Sequence, residues 1–407
     1  MPRGPSSNYS AKSTARISSL DGLRGICALT VVFFHWWLLQ PSAWNFVSKK
    51  ILPPYTDLQY FLAGTPLNVF VAGSVSVSIF FVISGAVLAL TFSEIDKEQF
   101  APFALKRFCR IYLPYFVVVV ASFCAMMLLH PRRIEGLSSW FNTYAWSHRI
   151  SPITFLNYLL MTGHDTTLDP VVWSLDHELR ISFLFPVMFI FLRRGGTVAL
   201  GSILLASFGA GAALRAFHTN WIVAELLSSI QYLWLFAFGA ALFLLRVHVK
   251  EICVRAPMKT VALWLLALLL ISISTRIDPL LGSGLSFCLS GIAAVLIVGL
   301  TLAPNWVSNK LFDSPPAIWL GKISYSLYLL HIPILLCIMH LFFGKLPLFV
   351  LFAVGISATL AMSWGMAVTI DRSSQQLGRR LATVYREAEK KKQYCLSSSS
   401  SGATRDQ

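Results

Sequence analysis

Ten apolar runs leave little of this chain outside hydrocarbon. They lie near Leu23–Leu39, Leu67–Phe92, Ile111–Leu129, Leu179–Leu192, Val198–Phe217, Leu226–Leu245, Val261–Ile273, Leu285–Leu302, Ile318–Leu341 and Leu346–Ile370. A bilayer core about 30 Å thick takes about 20 helical residues to cross, and a helix satisfies its own backbone there without water. Most of the runs meet that length, the fourth and seventh being short. A further run, Ile153–Met161, is shorter still and reads as a re-entrant or interfacial piece. The fold expected is therefore all-α, a polytopic membrane helix bundle of about ten transmembrane helices.

Composition agrees. Hydrophobic residues make up 56% of the chain and charged ones 13%, against about 45–50% and 25% in a soluble domain. The net charge of +15 would suit nucleic acid in a soluble protein, but in a bundle Lys and Arg gather on cytoplasmic loops. Alternating the runs from an inside N-terminus puts about 23 Lys and Arg on one side and 8 on the other. This places both termini in the cytoplasm and leaves no call for a nucleic-acid partner. The chain divides into a polar N-terminal tail at residues 1–19, a membrane domain at 20–372 and a basic, Ser-rich tail at 373–407, disordered by composition from Arg386. Its seven cysteines show no CxxC or other paired spacing, so neither a disulfide framework nor a metal site is expected.

Against this background the ionisable residues inside apolar runs stand out, because each costs free energy in lipid unless it faces a cavity or partner. The first run, LDGLRGICALTVVFFHWW, carries Asp21, Arg24 and His35. On a helix Arg24 and His35 lie roughly 16 Å apart and within about 20° of one face, and Asp21 falls on that face as well. A structural reading competes: Asp21 as a cap, Arg24 snorkelling to lipid phosphate, His35 in an aromatic belt with Trp36 and Trp37. Three later clusters weigh against it. KRFCRIYLPYF brings Lys106, Arg107 and Arg110 to the third run, suited either to positive-inside charge or to a phosphate clamp. WSLDHELRISFLFP opens the fourth run with Asp176, His177, Glu178 and Arg180. GKISYSLYLLHIP sets Tyr328 and His331 one turn apart on one face, as the lining of a polar cavity would be.

In this order, with SIFFVISGAVLA after the first motif and IDRSSQQLGRRL after the last run, these motifs resemble acyltransferase family 3, a family of integral-membrane O-acyltransferases. The resemblance runs from about Leu20 to Arg380. It implies transfer of an acyl group, usually acetyl, from acyl-CoA to a hydroxyl of an acceptor, with acetyl-CoA as a substrate and no bound cofactor. It assigns His35 as the essential histidine, Arg24 as its paired arginine and Glu178 as the motif carboxylate. Tyr328 and His331 match the late helix. After Glu178, where bacterial members commonly continue with glutamine and aromatics, this chain has Leu179, Arg180, Ile181 and Ser182.

The residue types suit that chemistry. A hydroxyl needs a base to attack a thioester, and histidine takes and returns a proton near neutral pH. Glu178 is expected to orient the imidazole as the third member of a triad does. Arg24, Arg107 and Arg110 are expected to hold the CoA phosphates, and Asp21, Tyr328 and His331 to line the substrate cavity. The partners expected are acyl-CoA, a hydroxylated acceptor (a sugar or secondary metabolite) and the lipid bilayer. The rival class is a multi-pass transporter of a polar or anionic solute, for which the halves show no internal repeat.

Overall fold

The computed structural model describes residues 18–94, 100–217, 219–277, 279–303 and 305–402; the predicted polar tail lies, through residue 17, outside the described residues. The chain begins with α1 (Ser18–Trp37), α2 (Pro41–Lys49), α3 (Leu58–Gly64), α4 (Gly73–Glu94) and α5 (Phe100–Leu129). Two short helices follow, α6 (Ser139–Tyr144) and α7 (Pro152–Leu159), then α8 (Trp173–Ala216), α9 (Trp221–Leu244), α10 (Arg246–Arg255), α11 (Pro257–Ser274) and α12 (Pro279–Leu302). The last are α13 (Trp306–Leu311), α14 (Pro315–Phe342), α15 (Leu348–Met366) and, after a π turn, α16 (Arg372–Gly402). Local chemistry sets many of the starts. Asn220 Oδ1 accepts from Val223 N at 2.9 Å to cap α9, Ser151 Oγ accepts from Thr154 N at 3.1 Å to cap α7, and α2, α11 and α14 open on proline.

Among the described residues, eight helices are long and apolar enough to cross a membrane, or nine if α1 and α2, which meet at a 110° bend, count as one span. The protein is an integral multi-pass membrane protein. The difference from about ten expected spans lies in α8, whose 44 residues are broken at Gly196 (φ 52°, ψ −125°) within Arg193-Arg194-Gly195-Gly196. A positive φ of this kind is open to glycine. The break separates the two runs that the sequence reading kept apart. Packing elsewhere requires the chain to turn back there. Gly25 of α1 lies against Gly321 of α14, and ten residues further along each helix His35 meets His331. Two helices in such register run parallel, and parallel neighbours need an odd number of crossings between them. The intervening α4, α5, α8, α9, α11 and α12 make six, and counting the two arms of α8 on either side of Gly196 separately gives an odd number.

The backbones of α1 and α14 approach closely for a simple reason. A Cβ on Gly25 would strike the backbone of Gly321, and one on Gly321 the carbonyl of Asp21. Small residues allow such backbone approach between helices in lipid. Asp21 and Arg24 mark one end of this pair and His35 lies towards the other. Ser18 and α16 are both at the Arg24 end: Ser18 Oγ donates to Asp313, and Gly378 of α16 packs on Lys106 and Cys109. The tail read as disordered from Arg386 is thus helical to Gly402, carried on from a segment whose Ser374 and Ala382 are buried. At the His35 end, residues 130–172 fold back into the bundle. The Tyr112 and Tyr115 hydroxyls donate to the carbonyls of Leu159 and Tyr158 at 2.8 and 2.7 Å. Tyr115 is fourteen residues before the end of α5, roughly 20 Å along its axis, so α7 sits deep, as a re-entrant piece does.

If this backbone contact sets the register, Gly321→Ala should destabilise the protein by about 1–3 kcal/mol through overpacking. Gly365→Ala, whose Cβ meets open space, should be nearly neutral. Thermal unfolding of the two variants in detergent checks this.

Candidate active site

Hydrogen bonds around His35 define its protonation pattern. Its Nδ1 lies 2.9 Å from Val31 O and 3.1 Å from His331 Nε2, while His331 Nδ1 lies 3.2 Å from Leu327 O. A carbonyl only accepts, so both Nδ1 atoms carry the proton. In the neutral pair His331 Nε2 is then a lone pair that shares the His35 Nδ1–H with Val31. His35 Nε2 is left bare, with no hydrogen-bond partner among the described residues. Once Nε2 takes a proton, both bonds at Nδ1 become charge-assisted. The pair is 9% and 0% exposed, respectively.

The surroundings hold this geometry. Trp140 of α6 lies over the His35 ring with centroids 5.4 Å apart, and Phe34 meets it edge-on at 5.2 Å. The Trp140 segment is tied to the end of α1 because Ser138 N donates to Leu39 O at 2.9 Å and Ser138 Oγ to Leu38 O at 2.5 Å. One turn before His331, Tyr328 has its hydroxyl 2.8 Å from Ser174 Oγ and 3.2 Å from Val171 O, which fastens α14 to the start of α8.

One turn after Ser174, Glu178 faces a different group. Its Oε1 accepts from Arg107 Nη2 at 2.7 Å and from Ser84 Oγ at 2.8 Å. Arg107 Nε donates to Ser182 Oγ at 3.0 Å, and Ser182 Oγ donates back to Glu178 O. Arg107 is 8% exposed and lies within electrostatic reach of both Arg110 and Arg24. Arg24 in turn stands 3.7 Å from Asp21.

Two clusters therefore emerge from the predicted residues. His35, His331 and Tyr328 come together; Arg24, Arg107, Arg110 and Glu178 form the other, with Asp21 beside Arg24. The expected pairing of Glu178 with His35 is not made. His331 holds that position, because the parallel α1–α14 register delivers an imidazole to His35 while the Glu178 face of α8 looks at α5.

The family model described as an acyltransferase domain matches residues 17–368. The chain belongs to this acyltransferase family. O-acetyltransferase PaAT-1 of Phomopsis amygdali is 25% identical over 391 residues, covering 79% of this chain and 73% of that protein. O-acetyltransferase OatA of Staphylococcus aureus is 24% identical over 364 residues, 82% of this chain and 53% of its own. Peptidoglycan O-acetyltransferase OatA of Listeria monocytogenes is 22% identical over 345 residues, 78% of this chain and 49% of its own. The chain thus spans about half the length of the two OatA proteins. No solved structure matches it.

The acyltransferase also buries polar groups to which the sequence reading gave no role. Asp371, within the late IDR motif, accepts from Ser326 Oγ at 2.6 Å, and Arg180 pairs with Glu225 at 2.9 Å. Asp169 is fully buried in the segment leading into α8. Its Oδ1 accepts from Val171 N at 3.4 Å, and its Oδ2 has no partner among the described residues. Burial raises the Asp169 carboxyl well above its ordinary 3.8, and the Val171 N–H offsets this only in part. Its sequence signal is slight, an acid before Pro170 ahead of Val171-Val172-Trp173.

Two outcomes follow from this geometry. Glu178→Leu, which strands the Arg107 charge, should destabilise by about 3 kcal/mol, and Arg107→Met added to it should restore part of the loss; a double-mutant cycle in detergent measures the coupling. Asp169 binds a proton more tightly folded than unfolded, so wild-type stability falls as pH rises from about 4. Asp169→Asn lacks that slope. Its stability relative to wild type should therefore rise with pH, as melting curves between pH 5 and 8 will show.

Proposed function

We propose that this protein is a membrane O-acyltransferase that moves an acyl group, acetyl in the first instance, from acyl-CoA to a hydroxyl of a carbohydrate or small metabolite. The observation that carries the reading is the His35 tautomer. A bare Nε2, with Nδ1–H held by two acceptors, is what a general base for an alcohol requires. The acceptor oxygen attacks the thioester carbonyl while its proton passes to His35 Nε2. As the carbon–sulfur bond breaks, that proton is available to the leaving thiolate, so the base returns to its starting form. His331 is a positioning residue that fixes which nitrogen of His35 is free.

The arginine cluster fits the other end of the donor. Arg24, Arg107 and Arg110 offer forked donors to phosphates, and Glu178 keeps the Arg107 guanidinium in place. Arg24 and His35 are roughly 16 Å apart along α1, a separation suited to a donor whose phosphates and thioester are joined by a long arm. By the positive-inside count the arginine end, where Ser18 and α16 lie, is cytoplasmic, which is where acyl-CoA is available. Asp21 stands at the arginine level of the donor path and Tyr328 at its imidazole level. The names of PaAT-1 and OatA as O-acetyltransferases support acetyl as the group moved.

The test is release of free CoA thiol by purified protein given acetyl-CoA and a panel of hydroxylated acceptors. His35→Ala should lower acceptor-dependent release by about 10²–10⁴-fold, the contribution of a positioned base, with melting temperature little changed. His331→Ala should cost about 10–100-fold, the worth of one buried hydrogen bond at roughly 1.5–3 kcal/mol. It should also shift the pH–rate profile while leaving the KM for acetyl-CoA in place. Wild-type turnover by a folded His35→Ala protein would overturn the assignment, and solute uptake without CoA would favour transport.

A further inference from the structure

A second site lies away from both clusters. Between the Gly196–Ala216 arm of α8, α9 and the start of α12 is a cavity of about 340 Å³, lined by Ser207, Phe208, Arg215, Gln231, Leu285 and Phe287 among others. Phe287 packs on Tyr232 and Tyr232 on His177, so an aromatic wall separates it from the α8–α14 contact. The cavity belongs to the His35 end of the bundle: Arg215 is one residue before the end of α8, and Gly284 beside it is near the start of α12.

Its chemistry is graded along its depth. The Arg215 guanidinium stands at the mouth and has no carboxylate partner among the described residues. Ser207, eight residues deeper and so roughly 12 Å along the helix, is 1% exposed, and its Oγ makes no hydrogen bond among the described residues. Phe208 and Leu285 are open to the outside, at 40% and 47% exposed. A buried hydroxyl without a partner calls for an occupant with a polar atom, and the guanidinium at the mouth is matched by the forked acceptors of a phosphate. Among the described residues the lining includes no acid, so none of them meets a choline or ethanolamine cation.

We infer that this cavity binds one anionic phospholipid of the surrounding leaflet. The phosphate pairs with Arg215, the ester oxygens take the Ser207 hydroxyl and the Gln231 amide, and an acyl chain lies on Phe208, Leu285 and Phe287. Two substitutions separate charge from shape. Arg215→Gln removes the cation at an exposed position. Gly284→Leu fills the cavity from a position whose Cβ is nearest the Arg215 side chain, at an ordinary contact distance of 3.5 Å, and Leu is the better helix former.

Native mass spectrometry of the detergent-purified full chain, titrated with palmitoyl-oleoyl phosphatidylglycerol, the phosphatidylcholine of the same chains, or water-soluble glycerol 3-phosphate, tests this. Wild type should hold one phosphatidylglycerol about tenfold more tightly than either variant and more tightly than phosphatidylcholine. Arg276→Gln, an exposed arginine near the same end, should bind as wild type does. Equal retention of phosphatidylglycerol by wild type, Arg215→Gln and Gly284→Leu would overturn the proposal. So would equal retention of the two lipids, or displacement of the lipid by glycerol 3-phosphate at equal concentration, which would assign the cavity to a free phosphate. The readout does not use acyl transfer, so it stands apart from the catalytic reading.

Discussion

Contact between the backbones of α1 and α14 is the constraint from which the rest of the site follows. In lipid, helices gain no hydrophobic free energy by meeting one another, so close van der Waals packing has to hold them. Gly25 and Gly321 bring the two axes together, with Gly22 against the Phe312 carbonyl just before α14. Because the pair is parallel and in register, a contact made by residues without side chains dictates which side chains face each other ten residues on. His35 meets His331 for that reason. A single turn of slippage would put Leu327 or Leu335 opposite the imidazole, where neither accepts a hydrogen bond from Nδ1.

Polar groups in the bundle are arranged in two levels joined by α8. Ser174 and Glu178 are one turn apart on that helix; the first reaches Tyr328, beside the imidazoles, and the second reaches Arg107. Each level satisfies most of its own donors and acceptors, which is what low dielectric demands. A carboxylate placed at the imidazole level would leave Arg107 stranded at the other. The same economy explains why a second imidazole, a neutral acceptor, serves as the partner of His35: it orients the ring without bringing another charge into the apolar interior.

Much of this was legible in the sequence, and the parts that were not share a cause. Long apolar runs with sparse ionisable residues announce a bundle because lipid tolerates little else. Asp21, Arg24, Arg107, Arg110, His35, Tyr328 and His331 were visible as exceptions to that rule. Which exceptions meet was not visible, since Glu178 with Arg107 and His35 with His331 are contacts between residues 71 and 296 positions apart. Glu178 was assigned to the wrong neighbour by analogy with catalytic triads, whereas the face of α8 it occupies is decided by three-dimensional packing. Asp169 and Trp140 belong to a polar and aromatic loop of the kind that tends to carry function, but its composition does not give their burial, which comes only from the loop's descent along α5. The helical tail shows the converse error, in which composition argued for disorder but continuity with a packed helix prevailed.

On the proposed reading, that descending loop also determines how His35 is approached as a base. Trp140 covers the His35 ring, and Ser138 ties its segment to Leu38 and Leu39 at the very end of α1. The Trp146 indole N–H donates to the Leu168 carbonyl at 3.0 Å, and Ser122 Oγ of α5 donates to the same oxygen at 2.9 Å. The loop is therefore fastened to α1 and α5 at once, a roof rather than a loose strand. With the base closed from above, a donor threading up from the arginine level would place its reacting carbon in a site screened from bulk water, where a thioester survives until an alcohol arrives. On the same reading an acceptor would come in beside the roof or displace it, and residues 137–168 would be the part of the chain where differences in acceptor size are met.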